Sequence, residues 1–201
     1  KHKVTRKPIA VVYNAPEKAA SPSARASAET KNLVYIGSFM PYKNVETLVR
    51  GAGIAKQCTL HLLSKISDSR KASLQLLATQ CGANLVFHNG VSDEQYNQLL
   101  QSAFALVTAS KDEGFGIPLV EAMQQGTPVV VSDLDIFKEV SGVAGTYFDP
   151  NSPESFGEAL TSLEAAGQWK EKSQLAIKQA AEFDWELSAQ ALLDQFEELD
   201  S

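Results

Sequence analysis

The stretch Ala105-Leu106-Val107-Thr108-Ala109-Ser110-Lys111-Asp112-Glu113-Gly114-Phe115-Gly116-Ile117-Pro118-Leu119-Val120-Glu121-Ala122-Met123 decides the fold. Phe104 to Thr108 is a brief apolar run suited to a buried strand. Gly114 and Gly116 follow, and glycines let a backbone turn sharply and approach a ligand closely. Pro118 fits the first turn of a helix, where a missing N–H removes no bond. Gly126 fits the C-terminal end of the same helix. The stretch therefore predicts strand, loop, helix. Two carboxylates, Glu113 and Glu121, bracket the helix start with seven residues between them. Free N–H groups at a helix N-terminus beside glycines form an anion site, and phosphate is the expected occupant. The alternative is an ordinary strand-to-helix connection with surface glutamates.

The same alternation runs outward from this stretch. Residues 32–37 read as a strand, and 44–56 as a helix with Asn44 as N-cap and Val45, Leu48, Val49 and Ala52 on one face. Strands follow at 59–64 and 84–87, separated by a helix over 68–81 that Gly82 closes. His88-Asn89-Gly90 turns, and Ser92 with Gln95 forms a capping box for a helix to Ala103. Residues 128–131 and 146–148 are the last strands. Ser152-Pro153 opens helical sequence to Leu199, with a break near Phe183-Asp184-Trp185. Upstream, Ile9 to Tyr13 reads as a lone strand and residues 15–31 as a flexible loop, together resembling the tail of a longer chain. Strands alternating with helices imply an α/β fold, a parallel sheet flanked by helices on both faces.

Composition narrows the classes. The 201 residues are 44% hydrophobic, enough for one sizeable α/β core. The net charge is -6 and lysines cluster only at Lys1 to Lys7, which argues against a nucleic-acid partner. There is no apolar run near a membrane-span length and no signal-peptide pattern. Cys58 and Cys81 have no metal or redox spacing and read as small core residues of a reducing compartment. His61 and His88 have no matching partner, so neither is assigned chemistry.

Ligands of open α/β sheets bind beyond the carboxyl ends of the strands. The loops that matter are therefore 37–44, 64–68, 88–92 and 109–116. The first holds Gly37, Ser38 and Lys43, and a strand-end glycine with a lysine at the next helix start can hold a diphosphate. A solvated lysine is the alternative reading of Lys43. No G-x-G-x-x-G follows the first strand and no P-loop pattern occurs, which argues against a dinucleotide dehydrogenase and an NTPase. Asp133-Leu134-Asp135 is a D-x-D, but Asp135 reads as the cap of a short helix towards Val140 rather than a metal ligand, and no metal is assigned.

At this point two segments resemble family 4 of the retaining glycosyltransferases (glycosyl transferases group 1). They are Glu113-Gly-Phe-Gly-Ile-Pro-Leu-Val-Glu121-Ala-Met with Gly126-Thr-Pro-Val-Val130, and Val34-Tyr-Ile-Gly37-Ser38-Phe-Met-Pro41-Tyr42-Lys43-Asn44. Tyr13-Asn14-Ala15-Pro16 resembles the family's interdomain linker, and Phe183-Asp184-Trp185-Glu186 the start of its last helix. The resemblance implies one half of a GT-B fold: a Rossmann-like domain that holds a nucleotide sugar. Expected boundaries are a linker strand and loop over 1–31, the donor-binding domain over 32–182 and a C-terminal helix over 183–201. Glu121 would accept hydrogen bonds from two vicinal ribose hydroxyls, and Glu113 from hydroxyls of the donor sugar. Backbone N–H groups from Phe115, Gly116, Ile117 and Leu119 would face the diphosphate, Pro118 having none, and Gly114 belongs to the same binding set. Lys43 would neutralise charge developing on the leaving phosphate. Glu113 and Lys43 are thus the expected catalytic residues. Gly37, Ser38 and Val91 complete the expected binding set, Val91 through its backbone at the base. Glu139 matches a recurrent family glutamate with a structural role. One departure is Ser38, where many relatives carry an arginine that shares the diphosphate with the lysine.

The resemblance further implies transfer of a mannose or glucose type sugar from a UDP- or GDP-linked donor to an acceptor hydroxyl, without a cofactor. An upstream acceptor-binding domain would supply the rest of the cleft and any contact with a membrane. The expected location is cytoplasmic, at the inner membrane face where such contact is made. A non-catalytic or split-enzyme subunit that binds nucleotide sugar and docks a separate acceptor-domain chain is the second expectation.

Overall fold

In the computed structural model, which describes residues 11–18 and 31–200, six strands form one parallel sheet in the order β3-β2-β1-β4-β5-β6. The strands are β1 (Asn32–Ile36), β2 (Thr59–Leu63), β3 (Asn84–His88), β4 (Ala105–Thr108), β5 (Val129–Ser132) and β6 (Gly145–Phe148). β4 and β5 are buried at every position, as near-continuous apolar runs require when both faces are covered. Leu33 of β1 lies opposite Leu60 of β2 on one side and Ala105 of β4 on the other. The chain first winds outward from β1 to β3, then returns to place β4 beside β1. Strand order therefore reverses between β1 and β4, and a crevice opens at that switch point.

The helices are α1 (Val45–Ala55), α2 (Asp68–Cys81), α3 (Asp93–Ser102), α4 (Ile117–Gln124), α5 (Asp135–Ser141), α6 (Pro153–Glu164), α7 (Gln168–Ala180) and α8 (Trp185–Asp200). Among the described residues, no helix is long and apolar enough to cross a membrane. One face of the sheet packs Leu48, Leu74 and Phe156 of α1, α2 and α6; the other packs Leu100, Leu119, Phe137 and Ala176 of α3, α4, α5 and α7. α1 approaches its neighbours closely: a Cβ on Gly51 would lie 2.4 Å from Phe156 Cδ1, and one on Gly53 2.2 Å from the Cys81 carbonyl oxygen. Trp169 is buried, and its indole N–H donates to the Phe104 carbonyl at 2.7 Å, tying α7 to the start of β4.

Several local expectations are corrected. Asn44 precedes α1 in the left-handed region and makes no capping bond to the helix amides. Its Nδ2 instead donates to the Pro150 carbonyl at 2.6 Å, so the side chain pins the β1–α1 loop to the β6–α6 loop. Asp135 is the first residue of α5, and Leu134 holds the cap position. The helical sequence after Ser152 breaks at residues 165–167 as well as before Trp185, because Gly167 adopts the left-handed conformation. The strand expected over Ile9 to Tyr13 does not form at Val11 to Tyr13, while Ile9 and most of the expected loop lie outside the described residues. Tyr13 instead packs edge-on against Phe183 (5.4 Å between ring centroids) and tilted against Phe115 (6.3 Å), and Ser188 donates to its carbonyl at 2.7 Å. The Glu139 carboxylate raises the pKa of the Tyr13 hydroxyl first, and burial second.

Candidate functional site

The loops after β1 and β4 meet at the switch point. The Lys111 amide donates to the Tyr42 carbonyl at 2.8 Å, joining them directly. Gly37 follows β1 directly, and the Tyr35 hydroxyl donates to the Ser38 carbonyl at 2.5 Å. Burial foremost, with the Glu113 charge behind it, pushes the Tyr35 phenol far above its ordinary range, so it stays a donor. Ser38 itself is exposed. Lys43 ends a 3-10 turn, Pro41–Lys43, and its ammonium forms an ion pair with Glu113 Oε2. Only 15% and 19% of these two side chains is exposed, so the pair is shielded from bulk water. Ser110 Oγ donates to the same Glu113 oxygen at 3.2 Å and lies 3.1 Å from Thr108 Oγ1. Glu113 is thus held by a cation and a buried hydroxyl, with Oε1 outside both bonds.

The glycine loop then leads into α4. A Cβ at Gly114 would meet nothing within 4 Å, so the backbone faces open space. Gly116 caps α4 at φ +88°, and a Cβ there would press on Phe137 Cε1 at 3.2 Å and Leu119 Cδ1 at 3.3 Å. The ring of Phe115 packs edge-on against Phe183 at 5.5 Å between centroids. The Leu119 amide already donates to the Gly116 carbonyl at 2.8 Å. The expected anion donors therefore reduce to the amides of Phe115 to Ile117, where the helix dipole adds its partial positive charge. One turn further on, Glu121 is half buried and its Oε2 accepts a hydrogen bond from the Tyr96 hydroxyl of α3. Val91, between β3 and α3, is partly buried against the same core cluster as Tyr96 and Phe115.

Lys43, Glu113 and the glycine loop thus belong to one set of loops, joined at its centre by a contact between residues 70 positions apart, and Glu121 stands one turn into the helix that follows. An ammonium beside free amides attracts an anion, and the two carboxylates accept hydroxyl protons. Two residues that sequence reasoning missed complete the set. Ser110 stands three positions before Glu113, a spacing that marks it as a local partner. Tyr96 is 25 residues from Glu121 and carries no sequence signal of the contact.

Other groups settle elsewhere. His61 Nδ1 and His88 Nε2 lie 3.0 Å apart with rings stacked at 5.3 Å between centroids, correcting the reading that neither has a partner. Burial lowers both imidazole pKa values, and the neighbouring ring lowers that of His61 further. Asp133 forms an ion pair with Lys138. Among the described residues, no three His, Cys, Asp or Glu side chains are grouped to hold a metal ion. Cys58 and Cys81 are free thiols.

A doubly wound parallel sheet with helices on both faces, and a glycine-flanked helix start beside its switch point, defines a Rossmann-like α/β domain. The family description Glycosyl transferases group 1 matches residues 17–183, and the chain belongs to that family. It is 28% identical over 165 residues to the O-antigen chain mannosyltransferase RfbU of Salmonella typhimurium, a match covering 81% of this chain and 46% of that protein. It is 29% identical over 160 residues to the O-antigen chain mannosyltransferase B of Escherichia coli, covering 76% and 42%. The chain therefore spans less than half the length of these relatives. Its fold is shared with GT-B glycosyltransferases. Sucrose-phosphate synthase of Thermosynechococcus elongatus superposes with a TM-score of 0.73 at 23% identity over 86% of this chain and 46% of that one. Anabaena Alr3699/HepE, solved in complex with UDP and glucose, gives 0.73 at 20% identity over 85% and 49%.

Proposed function

We propose that this chain is the donor-binding domain of a retaining glycosyltransferase. It would hold a nucleoside diphosphate sugar whose mannose- or glucose-type sugar passes to an acceptor hydroxyl. The observation that carries the reading is the joining of Lys43 to Glu113 across the switch point, with Glu121 one turn beyond the glycine loop. Family membership and the mannosyltransferase relatives support it, as does the UDP and glucose bound by HepE, which has the same fold. In this reading the diphosphate lies over the amides of Gly114 to Ile117, and Glu121 accepts from the ribose. Glu113 faces the transferred sugar. Lys43 moves its charge from Glu113 to the diphosphate as the glycosidic C–O bond breaks, stabilising the leaving group where negative charge develops. The acceptor oxygen bonds to the same face of the sugar that the diphosphate leaves, its proton passing to the departing phosphate oxygen, and the remaining acceptor contacts come from a domain upstream.

The test is a thermal-shift and calorimetry panel of UDP-, GDP- and ADP-sugars on the wild type and Glu121→Ala. A ligand that binds only the folded state raises the midpoint in proportion to the logarithm of its concentration over Kd. One donor class stabilising the wild type and not the variant is the expected result. Equal responses of the two proteins, or none from either, refute the reading.

A further inference from the structure

We infer that Tyr96 is a positioning residue for the nucleotide's ribose, acting through Glu121, an assignment that rests on the donor-site reading above. The phenol donates to Glu121 Oε2, and its own place is fixed twice. The start of α3 is set by the reciprocal bonds of Ser92 and Gln95, at 3.2 and 3.1 Å, one turn before Tyr96. The ring then packs against the core cluster that also receives Val91 and Leu99. A glutamate on an open helix face samples several rotamers, and holding one geometry loses that freedom. Here a rigid aromatic donor has already selected the rotamer before any ligand arrives.

The choice of a phenol matters. A lysine or arginine in its place would neutralise the carboxylate; a neutral donor leaves the full negative charge for hydroxyls. Burial first, and the Glu121 bond second, keep the phenol protonated, so it donates throughout the ordinary pH range. One lone pair of Oε2 is used, while the rest of Oε2 and all of Oε1 remain for two vicinal hydroxyls. The groove beside the pair is polar, with Asp93, Asn97, Gln101 and Gln125 along its wall. The wall is independently cross-linked: Gln101 donates to Gln125 at 3.0 Å, and Gln125 to Asn97 at 3.4 Å. The α3–α4 contact therefore does not depend on the Tyr96 hydroxyl, which frees that hydroxyl for the carboxylate.

The experiment compares wild type, Tyr96→Phe and Glu121→Gln, with UDP, GDP and their 2′-deoxy forms as probes in calorimetry, and thermal midpoints alongside. The wild type is expected to favour the better-bound ribonucleotide over its deoxy form by about tenfold, the worth of a hydroxyl bond to a carboxylate. Tyr96→Phe is expected to shrink that preference about fivefold, weakening the deoxy form less, through its remaining 3′-hydroxyl, and leaving the midpoint unchanged. An unchanged preference in Tyr96→Phe, while Glu121→Gln loses it, overturns the inference and leaves the donor site standing. Equal weakening of ribo and deoxy forms by Tyr96→Phe also overturns it, since a purely structural role acts on both. A wild type that binds none of the four, or shows no ribose preference, overturns the donor reading and the inference with it.

Discussion

Glu113 and Glu121 stand eight positions apart on one loop and helix, yet the fold gives them opposite partners. Glu113 is held by the Lys43 ammonium and the buried Ser110 hydroxyl; Glu121 is held by the neutral Tyr96 phenol. The first contact is an ion pair, and in the proposed donor site a negatively charged ligand would compete for its cation. The second leaves its carboxylate fully charged, and would need no rearrangement to receive hydroxyls. On the proposed reading the loop half would reorganise around charge while the helix half stays fixed.

The sharpest way to break this contrast is Glu121→Ala. It is expected to weaken UDP or GDP, whichever binds, by about fiftyfold, since two charge-assisted bonds are lost. Because the ribose is common to both, the monophosphate should weaken by the same factor in calorimetry. Lys43→Ala comes next, with about tenfold loss for the diphosphate and little for the monophosphate. That loss should shrink as salt is raised from low to physiological strength. Equal effects of Lys43→Ala on the two nucleotides would erase the division of labour. Glu113→Gln should act in the opposite direction: with the competing carboxylate removed, the diphosphate binds about threefold more tightly. Weaker binding in that variant would show that the ion pair preorganises Lys43 rather than restraining it.

The smallest expected effect lies outside both halves, at His61 and His88. Burial lowers both pKa values, so the unfolded chain takes up protons first as pH falls. Stability is then full above the ordinary histidine range near pH 6.5 and declines as pH drops through it. Thermal midpoints between pH 7.5 and 5.5 should fall modestly in the wild type and more gently in His61→Gln. A steeper fall in His61→Gln would assign the pH dependence to another group.

The elements that sequence made readable are those specified by local chemistry. Ser92 and Gln95 are three residues apart and cap each other; Pro118, Gly116 and Gly126 mark the limits of α4 within ten residues. The apolar runs of β4 and β5 required burial on both faces, and the sheet provides it. What local reading missed depends on strand order or on distant packing. His61 and His88 meet because β2 and β3 pair in a register that sets His88 opposite Leu63, two positions from His61. Asn44 looks like a helix cap until the Pro150 carbonyl comes within reach, 106 residues away. Leu119 seemed an anion donor, but the tight first turn of α4 returns its amide to Gly116. The loops that join Lys43 to Glu113, by contrast, could be picked out beforehand, because ligands of open α/β sheets bind beyond the carboxyl ends of the strands and each residue follows a strand.

The indole of Trp169 sits in the core against Phe104, whereas Trp185 is 56% exposed two positions after Phe183, in the aromatic group that backs the glycine loop. The molecule thus carries two fluorophores of different colour. Trp169 emits from an apolar setting and Trp185, at the exposed start of α8, from water. With Trp169→Phe or Trp185→Phe, the core and the start of the last helix become separate optical signals from one unlabelled chain.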